Sequence, residues 1–277
     1  MKKIIISLLV LMLTATTAVA LESPWEKKLP FKSAVIEYTI TGTQKGTKTI
    51  YVKDYGQTVA EYRNISMTVI GMTQKENTMD ITTPDWEYTV DLVERTGTKM
   101  VNPVKYMIEE FNQLSKKDQK TVIKNSEELG MGTVEGMNGE IKKNDTKILG
   151  YMCDKTTMKG VTVYTISGSP IPLKMESDMM GMKMNETATS INKGSVASSK
   201  FDIPSGIKMH HDVQADQMAK MQAKNVIQSL LKGEMPSPAM GQGQYGNKND
   251  EEDQQGISPE QMQKMKEMMK MFGGQKE

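Results

Sequence analysis

Methionine is the residue type with the most chemical latitude in this chain, at 26 of 277 residues. It gathers in three places: Met179, Met180, Met182 and Met184; Met209 beside His210 and His211; and the run from Met262 to Met271. Thioethers are soft ligands suited to Cu(I), so an exported chain could hold copper where Met209 adjoins His210 and His211. Adjacent side chains on a strand or helix diverge, which makes the His210-His211 pair a poor chelate. Met180, Met182 and Met184 fall at strand alternation and share one face, as packing or as cavity lining. Met262, Met265, Met268 and Met269 repeat at helical spacing, an adaptable apolar stripe of the kind found at promiscuous binding surfaces. Apolar packing or binding is the favoured reading, and a copper-binding protein using the methionine clusters, with Met209, His210 and His211 as the metal residues, the alternative.

Other reactive patterns are missing from the sequence. There is no Gly-x-Ser-x-Gly elbow and no glycine loop for phosphate. The acidic run from Asp250 to Asp253 lacks Ca²⁺-loop spacing and reads as a solvated linker. Cys153 is the single cysteine, so no intramolecular disulfide forms. No strongly basic context activates it, and it reads as a small buried strand residue. The expectation is a protein that is not an enzyme and carries no cofactor. With 35 basic and 34 acidic residues the formal charge is +1. That intermixed balance excludes a nucleic-acid partner, which requires a basic face.

Residues 1–20 have the form of a signal peptide. Lys2 and Lys3 precede an apolar core, and Ala18-Val19-Ala20 supplies small residues for cleavage after Ala20. The core is too short to anchor the chain, and no other stretch is long enough to span a bilayer. The expected location is therefore the periplasm, for a protein that does not span the membrane.

Behind the methionines stands a mainly β chain. Ile36, Tyr38 and Ile40 alternate with Glu37, Thr39 and Thr41, and a hairpin loop follows at 42–46. Strands are expected at 47–55, 57–67, 68–72 and 85–94, with a turn at 96–97 into 98–101. Asn102 then caps a helix with Pro103 at its first position. Val104, Met107, Ile108, Phe111 and Leu114 form its apolar stripe. Ser115 with Asp118 caps a second helix, which Gly130 is expected to stop, and 130–147 reads as a loop with room for one short strand. Asp212 starts a third helix reaching Lys232, before Gly233.

The stretch 148–204 carries short β-type runs separated by Gly, Pro, Asn and Ser, an antiparallel meander whose closing strand is expected at 195–203. Its motifs are Gly150-Tyr151-x-Cys153, Ile171 to Lys174, Asn185 to Thr189, and Phe201 to Gly206. In this order they resemble a bacterial exported domain family of unknown function, similar in architecture to the lipoprotein carrier and receptor LolA and LolB. The resemblance covers the middle two-thirds of the chain. It implies a curved antiparallel sheet, a half-barrel, with helices across its concave side. It transfers no catalytic residue.

The expected organisation is a signal peptide at 1–20, an α+β, mainly β half-barrel at 21–232, a disordered linker at 233–257 and a Met-rich amphipathic helix at 258–277. The expected function is non-enzymatic carriage of a hydrophobic ligand: a lipid, an acyl chain or a lipoprotein anchor. Ile36, Tyr38, Ile40, Met107, Ile108 and Phe111 are the expected lining. The terminal Met helix would meet an envelope protein partner. A ligand-free envelope interaction module is the further alternative.

Overall fold

The computed structural model describes residues 21–26, 28–69, 72–179 and 182–236. The stretches expected as signal peptide and Met-rich helix, and most of the expected linker, lie outside them.

Twelve strands form one sheet. The first half of the chain gives β1 (Ala34–Gly42), β2 (Gln44–Lys53), β3 (Thr58–Val69), β4 (Met72–Thr82), β5 (Trp86–Asp91) and β6 (Thr96–Val101). The second gives β7 (Glu140–Ile148), β8 (Tyr151–Met158), β9 (Val161–Ile166), β10 (Pro172–Met179), β11 (Met182–Lys193) and β12 (Lys208–His211). Their order is β12-β6-β5-β4-β3-β2-β1-β11-β10-β9-β8-β7. The pairings are antiparallel except that of β12 with β6, which is parallel. Two meanders are thus joined through β1 and β11, and the sheet stays open, ending at β12 and β7. Thr, Val, Ile and Tyr fill these runs, as a half-buried pleated surface favours.

Register assigns the faces. On the first face Ala34, Val52 and Val59 make one row, Ile36, Ile50 and Glu61 the next, and Tyr38, Lys48 and Arg63 a third. Its apolar rows form a core with Leu29, Phe31, Cys153, Ile166, Ile171, Leu173 and Ala188. On the second face Ala60 pairs with Ile81 and Tyr62 with Met79. This core is completed by Phe201, Ile203, Ile207 and Met209 from the returning chain. Tyr62 Oη donates to the Lys200 carbonyl at 3.0 Å, fixing that cover.

Three helices make a third core. They are α1 (Pro103–Asn112), α2 (Lys116–Gly136) and α3 (Val213–Lys232). Asn102, Ser115 and Asp212 each accept a first-turn backbone N–H, so the expected caps are present. Gly233 closes α3 in the left-handed conformation at φ +71°. Phe111, Val122, Ile227 and Leu230 are buried together. Trp25 meets Phe111 edge-on, with ring centroids 6.2 Å apart. Backbone carbonyls inside this core are satisfied: Gln119 donates to Phe111 O at 3.2 Å and Asn125 to Leu230 O at 2.6 Å.

Several expectations are corrected. α2 runs through Gly130 and Gly132 to Gly136 instead of stopping at Gly130, and the one strand allowed for in 130–147 is β7. Thr68 and Val69 end β3 and pair with the start of β4, a return strand that the sequence pattern does not announce. The turn before β6 falls at 92–95 rather than 96–97. The expected closing strand at 195–203 is instead loop and a short 3-10 turn, Ser198–Phe201. The helices pack mainly on one another: α3 carries α1 and α2, α3 also touches β6, and α2 touches β7 and β8. The helical layer therefore connects the two ends of the open sheet.

Candidate functional site

The expected lining residues divide between cores. Ile36 and Tyr38 are buried in the first core, where Leu29 and Phe31 fill the space against them. Ile40 is equally buried, at 2% exposed. Phe111 is wholly buried in the helical core. Met107 and Ile108 are half-buried on α1. The six are thus divided among the described elements, and Ile108 lines a cleft.

That cleft, of about 570 Å³, lies between the lead-in to β1, the 3-10 turn Asp54–Gly56, the β4–β5 connection and α1. Pro24, Trp25, Pro84, Val104, Ile108 and Pro170 form its apolar wall. Glu22, Glu26, Lys28 and Lys105 supply charge around it. Local chemistry holds the lead-in in place. Ser23 O accepts from Glu26 N at 3.1 Å, and Leu29 N donates to Tyr55 O at 2.9 Å. Gly56 has φ +92°, and a Cβ there would sit 2.8 Å from Leu29 Cγ, so this approach requires glycine. On the far side Asn102 fixes the start of α1. Its Oδ1 accepts from Val104 N at 2.9 Å, and its Nδ2 donates to Thr83 O at 2.7 Å. A second depression of about 360 Å³ at the β8–β11 hairpin ends is lined mostly by polar residues, among them Thr157, Thr162, Glu176 and Asp178.

Beyond the apolar rows the first face becomes charged. Lys48 and Glu186, both 4% exposed, are paired directly. Arg63 binds Glu61 at 2.9 Å, and Glu61 reaches Lys48 at 3.8 Å. The Lys48 ammonium also lies 4.3 Å from the Tyr38 ring centroid. Tyr38 Oη donates to Pro172 O at 3.0 Å. Burial pushes the Tyr38 phenol up, and Glu186 and Glu61 add to this, so it stays protonated. Next along the face come Asp80 and Glu87. Burial pushes the Asp80 carboxyl up, against a hydrogen bond from Thr89 and with repulsion from Glu61. Burial also raises Glu87, and Asp80 adds to it. Thr82, the register partner of Glu87, lines the cleft, so the charged row ends at the cleft wall.

The alternative metal set is split by register. Met209 and His211 share one face of β12 and His210 takes the other. Met209 packs in the second core, and His211 Nε2 lies 2.6 Å from Asp216 Oδ2 with its ring edge-on to Trp86. Among the described residues no group of three or more His, Cys, Asp or Glu side chains is arranged to hold a metal. Cys153 is buried, and burial raises its thiol, which leaves it unreactive.

Sequence reading missed Pro24 and Trp25 as wall residues, although aromatic and proline residues just ahead of Leu29 and Phe31 mark a segment that packs. It also missed Lys48. The available signal was a lysine at an apolar position of a strand, in line with Ile50 and Val52.

No protein-family model and no curated protein matches this chain. Among solved structures, an uncharacterized conserved protein from Thermus thermophilus aligns at 9% identity and TM-score 0.36, over 65% of this chain and 91% of that one. PNGF-II aligns at 10% identity and TM-score 0.32, over 69% of this chain and 33% of that one. This chain thus spans about a third of PNGF-II. Neither likeness is close enough to assign a fold family.

Proposed function

We propose that the protein is a non-enzymatic periplasmic carrier, exported after cleavage at Ala20, with a LolA/LolB-like half-barrel. Its ligand is an apolar chain with a polar end: a lipid, an acyl chain or a lipoprotein anchor. The observation that carries this reading is the cleft at Trp25, Val104 and Ile108, whose volume of about 570 Å³ falls in the range of small-molecule sites. Its apolar wall suits a hydrocarbon chain, and its charged surround suits a headgroup. The site moves from the sheet face, where Ile36, Tyr38 and Ile40 are packed solid, to the side of α1 that Ile108 presents. The terminal Met helix remains the contact proposed for an envelope partner.

The test is titration with the fluorescent apolar probe N-phenyl-1-naphthylamine. Ile108→Glu places a charge in the wall without touching the helical core around Phe111. Probe binding is expected to be lost while the circular dichroism spectrum is kept. A folded Ile108→Glu protein that binds the probe as the parent does would contradict the placement.

A further inference from the structure

We infer that the end of the β10–β11 hairpin is a thioether site for one soft monovalent metal ion, Cu(I), built from Met179, Met182 and Met184. The site is separate from the cleft and from the Met209–His211 set.

Register brings the three together. Met179 on β10 pairs directly with Met182 on β11, so both side chains leave the same face. Cross-strand neighbours of this kind have Cβ atoms about 5 Å apart. Met184 is two residues further along β11 and returns to that face, about 7 Å from Met182 along the strand. Three flexible thioethers on such a triangle can converge on one ion, because each has three rotatable bonds between backbone and methyl.

Met179 Cγ stands over Gly160, where a Cβ would come within 3.3 Å of it, and about half of the side chain remains in solvent. Met179 is 51% and Met182 55% exposed, although large apolar side chains are ordinarily withdrawn from water. No core of the sheet uses either of them. Met184 is half-buried beside Gly42, its register partner on β1. At Gly42 the backbone has φ +111°, and a Cβ would lie 2.1 Å from Lys183 O, so no side chain stands beside Met184 there. Lys183, between Met182 and Met184, alternates to the opposite face and lies 3.6 Å from Asp178. Soft sulfur donors without carboxylate or imidazole discriminate for Cu(I) against hard divalent ions. A purely apolar hairpin end would be served equally by Leu or Val, and here all three positions are methionine.

The experiment uses the full mature chain labelled with [methyl-¹³C]methionine, titrated with Ag(I), an air-stable surrogate for Cu(I), and then with Cu(I) under nitrogen. The first equivalent is expected to shift three methyl signals together. Single Met179→Leu, Met182→Leu and Met184→Leu variants assign those signals, and the triple variant loses the site. Met218→Leu/Met221→Leu, on exposed positions of α3, keeps it. If the first equivalent shifts other methionines, or the triple variant binds as the parent does, the site is overturned.

Discussion

Lys48 shows what one residue does in this sheet. Its ammonium is buried against Glu186, with Glu61, Arg63 and the Tyr38 ring around it. Lys48→Met leaves the buried Glu186 carboxylate with only the more distant Arg63, at 3.9 Å, which costs up to about 3–5 kcal/mol. Replacing both partners by apolar residues, Lys48→Met with Glu186→Leu, restores most of that loss. Urea unfolding of the two variants measures the difference, and equal stabilities would contradict the pairing. Asp80 and Glu87 act in the opposite sense. Burial raises both carboxyls, so the folded state holds their protons to higher pH than the unfolded chain does. Their contribution is full below the unfolded carboxylate pKa and is lost as pH rises through the folded one. Asp80→Asn and Glu87→Gln should therefore raise the unfolding midpoint at about pH 7 and change it little at about pH 4. A gain that is larger in acid would reverse the sign and refute the assignment.

At the scale of elements, local chemistry was legible and pairing was not. The caps at Asn102, Ser115 and Asp212 and the stop at Gly233 are written in the residues next to them. α2 passes its expected end because Gly130 and Gly132 only weaken a helix, while the packing of α2 on α3 and β7 holds it. Apart from the adjoining backbone of α2 itself, nothing among the described residues lies within 4 Å of the position a Cβ would take at either glycine. Gly130→Ala and Gly132→Ala should each stabilise the fold by about 1 kcal/mol, read as a higher thermal midpoint. A lowered midpoint would show that α2 does not continue as a helix there. β4 escapes notice because Gln74, Lys75, Glu76 and Asn77 are polar and give no alternation. Their strand exists through its ladder with β3, which only the register reveals. The sequence at 195–203 misleads in the other direction. Phe201 and Ile203 are apolar because they cover the second core as irregular chain, a role that shares its composition with a strand.

The described residues form an open twelve-stranded sheet whose two ends meet a common helical layer. Residue types identified the apolar faces correctly, since Ile36, Tyr38, Ile40 and Phe111 are all buried. They did not distinguish a filled core from a lined cleft, because both require the same residues. That distinction depends on what the lead-in does, and Leu29 and Phe31 close the sheet face while Trp25 opens a space beside α1. The ligand proposed for this space is an apolar chain. The direct measurement is a native mass spectrum of the mature protein, purified without detergent, beside that of Ile108→Glu. A lipid-sized adduct that extracts into organic solvent, present on the parent and absent from the variant, is the predicted result. A bare polypeptide mass for both, or the same adduct on both, would contradict it.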